Sequence, residues 1–287
     1  MNEADSISPW AQSWYRLKQH RMAMLGLILL SIIGLLCLIA PWLTSYTYRE
    51  QNIDLGAIPP CAEHWLGTDT LGRDLFTRIL YGGRISFMVG LIATAVSLLI
   101  GVPYGALSGY LGGRTDRFMM RVVEIIYSLP YTIFVILLMV VVGRGLLPLL
   151  LAIGAVEWLA MARLVRGQVL AVKEQEFVQA AHVLGQSNFK ILSKHIIPNV
   201  LGTVIVCATL TVPSVMLLES FLSFLGLGIQ APMTSWGDLI KDGVVTLEEY
   251  PWMLIFPSIF FSVTLFSLNF LGDGLRDALD PRVEAAR

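Results

Sequence analysis

The stretch FVQAAHVLGQSNFKILSKHIIPN, Phe177 to Asn199, is a long polar interruption in a chain otherwise dominated by apolar runs. Phe177, Ala181 and Leu184 follow one another at spacings of four and three, which predicts one face of an α-helix. Gly185 stands where that helix would end in a left-handed residue, a conformation glycine adopts without steric penalty. Ser187 or Asn188 can then cap a second helix, and Pro198 is expected to end it because proline has no N–H to donate. Two short helices at a sharp angle make a rigid knob, a shape suited to docking in a partner's cleft.

The surroundings of the knob point to a membrane. Hydrophobic residues make up 55% of the 287 and charged residues only 14%, whereas soluble domains carry roughly a quarter charged residues. Six segments are candidate spans: Met22–Leu43, Ile85–Tyr110, Phe118–Val142, Leu146–Ala162, Val200–Leu225 and Trp252–Leu271. Each approaches or exceeds the roughly 20 residues that cross a hydrocarbon core of about 30 Å. Backbone polar groups have no water partners there, so the expectation is an all-α membrane protein of six transmembrane helices. The first run is longer than a signal-peptide core and no clear small-x-small site follows it, so it reads as an anchor.

Orientation follows from Lys and Arg. Arg114, Arg117, Arg121, Arg163, Arg166, Lys173, Lys190 and Lys194 fall on one side with both terminal tails, which add Arg16, Lys18, Arg21, Arg276, Arg282 and Arg287. The opposite side holds only Arg49, Arg73, Arg78, Arg84, Arg144 and Lys241. The richer side is cytoplasmic, which places both termini and the knob inside. Residues 1–84 then comprise a tail, the first span and an outer loop; residues 85–275 form a five-span core containing the cytoplasmic loop 167–199; and residues 276–287 form a second tail.

Several further positions carry expectations. In the outer loop, Leu75 to Tyr81 predicts a short amphipathic helix between glycine turns, either a structured ectodomain or a contact surface for an external partner. Gly101, Gly105 and Gly109 recur every four residues, which aligns small sites on one helix face and predicts close helix packing. Pro103, Pro130, Pro213 and Pro257 sit inside spans and predict kinks. Glu124, Glu157 and Glu219 lie in or near apolar runs. A mid-membrane carboxylate costs about 2.5–3.5 kcal/mol on insertion scales, so Glu157 and Glu219 should meet another helix or line a watery pathway. Gly272 and Gly274 are expected to end the last span, leaving Asp273, Arg276, Asp277 and Asp280 at the cytoplasmic interface. Cys37, Cys61 and Cys207 form no evident pair, and His20, His64, His182 and His195 show no metal-ligand spacing.

Lys18, Lys173, Lys190, Lys194 and Lys241 never follow a glycine, so no phosphate-binding loop is present. The metalloprotease pattern His-Glu-x-x-His and the hydrolase pattern Gly-x-Ser-x-Gly are also missing. The chain reads as a non-catalytic membrane subunit that binds no cofactor itself.

The knob resembles the coupling loop of binding-protein-dependent ABC import permeases, whose pattern is Glu-Ala-Ala, three residues, Gly, nine residues, Ile-x-Leu-Pro. The matching positions are Gln179, Ala180, Ala181, Gly185, His195, Ile197 and Pro198, with Gln179, His195 and Ile197 departing from the pattern. His followed by x-x-Pro-Asn is typical of the peptide and nickel branch. Similarity extends to His64, Leu66, Gly67, Thr68, Asp69, Gly72, Arg73 and Asp74, and to the runs GGRISFMVG from Gly82, ARLVRGQ from Ala162, ESFLSFLGLG from Glu219 and GDGLRDALDP from Gly272. Together these look like the C-type permease of oligopeptide importers.

The resemblance implies a type I ABC importer permease fold in a bacterial cytoplasmic (inner) membrane. It also implies a second, different permease subunit, two ATP-binding subunits that hold ATP and Mg, an extracytoplasmic peptide-binding protein and alternating access for an oligopeptide. Gln179, Ala180, Ala181, Gly185, His195 and Pro198 would be the ATPase-coupling positions. Dipeptides, nickel or antimicrobial peptides stay open as cargo. An ion-driven secondary transporter would call for ionisable relays or related halves, and no internal repeat is present.

Overall fold

The computed structural model describes residues 9–279. The expectations that fall on residues 1–8 and on Asp280, Arg282 and Arg287 lie outside the described residues. Among the described residues eleven α-helices follow one another, with one long connection, the outer loop between Leu43 and Leu75. A half-exposed amphipathic helix, α1 (Pro9–Gln19), leads into α2 (Arg21–Leu43), the first span. His20 caps α2, its Nδ1 accepting from the Ala23 N–H at 3.1 Å.

The second span is α3 (Leu75–Leu111). Asp74 caps it, accepting from the Thr77 N–H at 2.8 Å and from the Thr77 hydroxyl at 2.7 Å. The separate helix expected over Leu75–Tyr81 is therefore the first two turns of α3, because nothing after Tyr81 interrupts the backbone hydrogen bonds. At 37 residues, α3 is about 55 Å long, well beyond a hydrocarbon core of about 30 Å. It is a spine with both ends in water.

The third expected span is not one helix. It divides into α4 (Gly113–Tyr127) and α5 (Tyr131–Val142), bent by 79° around Ser128–Pro130. Proline disfavours helical backbone at the residue before it and has no N–H to continue the ladder. With α4 and α5 counted as one broken span there are six among the described residues; the five continuous ones are α2, α3, α6 (Leu146–Lys173), α9 (Ile197–Phe224, helical without a break from Asn188) and α11 (Trp252–Leu279). Helix α6 runs well past the expected end at Ala162 and carries the chain into the cytoplasm.

Gly272 and Gly274 do not end α11, which continues to Leu279. They serve contact instead. A Cβ on Gly272 would lie 2.5 Å from Leu210 Cδ2, and one on Gly274 would lie 2.2 Å from Ala23 Cβ. The small faces let α9 and α2 press against α11. Between α9 and α11 lies a short outer helix that the sequence reading did not anticipate, α10 (Trp236–Val245), capped by Ser235.

Helix α3 is fixed to α6 through Gly101, Gly105 and Gly109. Their added Cβ atoms would stand 2.7 Å from Trp158 O, 2.3 Å from Ala162 O and 2.9 Å from Arg166 O. Such approach of two backbones leaves no room for any side chain. One apolar cluster gathers α3, α5, α6 and α9 around Val89, Met139, Ile153, Leu159 and Leu222. A second surrounds Trp236 on the outer side, and a third, on the cytoplasmic side, includes Val165, Val169, Val178, Ile191, Ile196 and Val204.

Candidate functional site

The cytoplasmic knob consists of α7 (Glu176–Val183) and α8 (Asn188–Ile191). Between them Gly185 takes φ +71°, the left-handed region that favours glycine. The Gly185 N–H donates to His182 O at 3.0 Å and the Gln186 N–H to Ala181 O at 3.2 Å, satisfying carbonyls that the end of α7 leaves open. An added Cβ at Gly185 would meet nothing within 4 Å, so backbone conformation alone selects glycine there. Ser187 occupies the position before α8 without a side-chain cap.

Pro198 does not stop the second helix. The backbone widens into a π-turn over Leu192–Ile196 and passes directly into α9, with Pro198 in its first turn. A proline is tolerated there because the first N–H groups of a helix have no partner within it. The knob is therefore welded to a membrane span. His195 sits in the π-turn, its Nε2 3.0 Å from Gln186 Oε1, joining the turn after Gly185 to the base of α9.

The expected apolar face Phe177–Ala181–Leu184 is not a single buried face. Val178 and Ala181 are buried in the chain's own inner cluster, with Ile191, Leu192 and Ile196. Leu184 comes after the helix has ended and turns outward, 78% exposed. Val183 and Phe189 are 88% and 80% exposed. All three are large, apolar and exposed, which the helical period did not predict: Val183 and Leu184 lie where α7 ends, and Phe189 follows the glycine turn. Gln179 and Ala180 are exposed as well, and the Gln179 amide donates to Glu174 O at 3.2 Å.

Polar clamps tie the knob to the rest of the fold. The Tyr110 hydroxyl bonds Asn188 Oδ1 at 2.9 Å, and Lys173 Nζ donates to Tyr110 O at 2.7 Å. Nearby, Arg166 grips Asp116 through two bonds of 2.5 and 2.6 Å, and the Ser108 hydroxyl donates to the same carboxylate at 2.6 Å. A planar guanidinium facing a carboxylate in this way fixes orientation as well as distance. Helices α3, α4 and α6 are thus locked where they reach the cytoplasm.

The intramembrane acids have separate settings. Tyr131, just beyond the bend, donates its hydroxyl to Glu157 on α6, which is half-buried. Glu219 on α9 is fully buried and accepts from Ser223 at 2.8 Å and Ser86 at 3.3 Å. Each carboxylate therefore joins two helices. Glu124 differs: it is exposed on α4 and pairs with Arg121 at 3.4 Å.

The outer loop closes on itself. Asp69, 1% exposed, accepts from Arg73 Nε at 2.6 Å and Arg78 Nη1 at 2.5 Å, as well as from the backbone of Leu71 and Arg73. Arg78 reaches on to Thr234 and to Asp242, 3.5 and 3.6 Å away. Asp74 bonds His64 Nδ1 at 2.9 Å, and the Trp252 indole donates to Thr68 O at 3.1 Å. The residues His64, Thr68, Asp69, Arg73 and Asp74 thus stitch the loop onto α3, α10 and α11. One group nearby is left over. Asp238 on α10 has a buried Oδ2 with no hydrogen-bond partner, and burial, reinforced by Glu219 and Asp242, pushes its carboxyl up to about 7.

Comparison with known proteins gives a consistent result. Residues 101–285 match the family described as binding-protein-dependent transport system inner membrane component, and residues 8–60 match the N-terminal TM domain of oligopeptide transport permease C. The chain is 50% identical to the oligopeptide transport system permease protein OppC of Haemophilus influenzae over 282 residues, 98% of this chain and 91% of that one. It is 48% identical to the dipeptide transport system permease protein DppC of Bacillus subtilis over 287 residues, covering 98% and 90%. Among solved structures, an inward-facing conformation of the MetNI methionine ABC transporter aligns with a TM-score of 0.58 at 16% identity, covering 70% of this chain and 96% of that chain.

Proposed function

Because the chain belongs to the family of binding-protein-dependent transport system inner membrane components, we propose that its cytoplasmic knob is the part through which separate ATPase subunits drive peptide import. The chain is the multi-pass, inner-membrane permease subunit of a peptide ABC importer with the type I fold. We take oligopeptides as the cargo class, in keeping with the N-terminal domain match. The assembly would comprise a second permease forming the other half of the pathway, two ATPases that bind ATP and Mg, and an external binding protein that delivers the peptide.

The observation that carries this reading is the exposure of Val183, Leu184 and Phe189 on a knob whose other side is packed into the chain's inner cluster. Large apolar side chains presented to water mark interaction surfaces. Behind them, Val178, Ala181 and Ile191 pack into the cluster shared by α3, α6 and α9. A partner that shifts the knob must therefore displace the cytoplasmic ends of α6 and α9. Gly185 and the His195–Gln186 bond keep the two short helices at a fixed angle. Ala181 contributes from inside, as packing beneath the docking face. Pro198 lets α9 begin directly under the knob.

Movement of α6 and α9 would be felt at the two carboxylates that link them to neighbours, Glu157 with Tyr131 on α5 and Glu219 with Ser86 on α3. These contacts are where the spans would re-pack between outward-open and inward-open states.

The test is Leu184→Asp and Phe189→Asp in the assembled transporter. A charge placed in an apolar contact is costly when unpaired, so both variants should insert and fold normally yet lose ATPase subunits on purification and lose uptake. Wild-type uptake in proteoliposomes should require ATP and persist when ion gradients are collapsed. Wild-type ATPase association in both variants would refute the docking assignment, and uptake that follows an ion gradient without ATP would refute the energy source.

A further inference from the structure

A groove of about 770 Å³ lies on the outer half of the membrane region, between α2 and α3. This is within the roughly 300–1,000 Å³ of small-molecule sites. Its walls are apolar, including Leu30, Ile85, Met88 and Leu91, with buried Val212 and Leu268 as its floor. Leu38 and Leu91, on its two sides, are 66% and 59% exposed, so the groove opens away from the chain's own core. Gly34 lines it, and an added Cβ there would meet nothing within 4 Å.

The outer end of the groove is chemically different. Tyr48, Tyr81 and Arg84 line it, with Arg84 lying over the Tyr81 ring at 5.4 Å and the two tyrosine rings 4.7 Å apart. Arg49 joins them, resting on the Tyr48 ring at 5.1 Å while its Nε donates to the Tyr48 hydroxyl at 2.8 Å. Among the described residues neither arginine has a carboxylate within ion-pair distance. Their counterparts on the same side of the protein, Arg73 and Arg78, are both paired with Asp69.

Depth fits a lipid interface. Gly83 abuts Cys37 on α2, since an added Cβ would stand 2.5 Å from the sulfur, and Trp42 lies five residues further along α2, 84% exposed. At about 1.5 Å rise per residue, Arg84, one residue deeper than Gly83, is about 9 Å below an exposed tryptophan. Tryptophans of that kind mark the headgroup level, and a long arginine below it extends its charge upward.

We propose that this groove holds one acyl chain of an anionic phospholipid in the outer leaflet, its phosphate placed between Arg84 and Arg49. Charge complementarity favours this occupant over a helix of the partner permease. Two uncompensated guanidiniums beside tyrosine hydroxyls suit a phosphate, which Arg recognises through paired N–H donors. An apolar helix packed into the groove would leave both cations unmatched. The apolar length below takes the hydrocarbon.

Native mass spectrometry of the complete transporter, exchanged into phosphatidylglycerol or phosphatidylcholine of the same acyl composition, tests this. The wild type should retain phosphatidylglycerol preferentially. Arg84→Gln should lower that preference about fivefold, the loss expected for one cation near an anionic headgroup. Gly34→Phe should fill the groove and lower retention of both lipids while the assembly stays intact. Equal retention of the two lipids by the wild type, or unchanged retention in Gly34→Phe, overturns the proposal. Loss of the partner permease from the Gly34→Phe complex would also overturn it, because the groove would then seat protein.

Discussion

The outer loop and the cytoplasmic knob solve opposite problems. In the outer loop, the buried carboxylates Asp69 and Asp74 find their partners within the chain: Arg73, Arg78, His64 and Thr77 are all supplied locally or by α3. The knob buries its small side chains and turns Val183, Leu184 and Phe189 to water. A region that satisfies itself gains rigidity from its own residues. One that leaves apolar surface unsatisfied is finished only by another chain. The same protein thus has an end built to hold still and an end built to be held.

The comparison breaks most readily at Arg78. We predict that Arg78→Leu strips the buried Asp69 carboxylate of one of its two cations and costs about 3–5 kcal/mol, seen as a large fall in the thermal midpoint in detergent. Leu184→Asp, on the exposed knob, should change the same midpoint by no more than about 0.5 kcal/mol equivalent. Equal losses from the two variants would erase the distinction between a self-satisfied region and a docking one.

The spine joining the two ends comes next. At Gly105 an added Cβ would stand 2.3 Å from Ala162 O, so Gly105→Leu must push α3 and α6 apart. Overpacking of this kind costs about 1–3 kcal/mol. Both stability and uptake should fall, whereas Leu184→Asp spares stability. Normal melting and uptake in Gly105→Leu would show that the close approach is dispensable.

Asp238 sharpens the picture of the outer side, as the one carboxylate among the described residues with a buried, unpartnered oxygen. Its carboxyl is raised from 3.8 to about 7 by burial and by Glu219 and Asp242. As pH rises, the unfolded chain releases this proton near the ordinary value while the folded chain holds it to about 7. The contribution to stability is fully present below the lower value and is lost as pH rises through the higher one. The wild type should therefore melt higher at pH 5 than at pH 8, and Asp238→Asn should flatten that difference. At pH 8 the variant should gain about 1–3 kcal/mol, the penalty of a buried unpaired polar group. An unchanged pH profile in Asp238→Asn would contradict this.

A local effect is expected at Gly185. Its φ of +71° with open space around it means that Gly185→Ala carries only a backbone cost, about 1–2 kcal/mol. That should appear as faster amide exchange in α7 and α8 with little change at α3. Slower exchange there would contradict the left-handed turn.

The sequence was most legible where one local rule decides the outcome. Long apolar runs marked the spans, and Gly185 announced the turn in the knob. Pro130 announced a kink, but not a bend of 79° that splits the span into a polar, amphipathic α4 and an apolar α5. Gly272 and Gly274 carry a stop signal in water, where glycine breaks helices, whereas here they admit Leu210 and Ala23 to the face of α11. Pro198 misled in the same way: a π-turn absorbs it. The outward position of Leu184 follows from the turn at Gly185, which ends the helical period one residue before it. The partners of Glu219 were illegible because Ser86 is 133 residues away in sequence.

Site-specific cross-linking in the assembled transporter tests the central claim most directly. With the chain's own Cys37, Cys61 and Cys207 replaced by alanine, a single cysteine is placed either at Leu184, in the knob, or at Trp65, which is 62% exposed in the outer loop. The account predicts that Leu184→Cys cross-links to an ATPase subunit, in a yield that changes when ATP is added, and that Trp65→Cys never does. An assembled, transporting complex in which Leu184→Cys captures no ATPase subunit would contradict it.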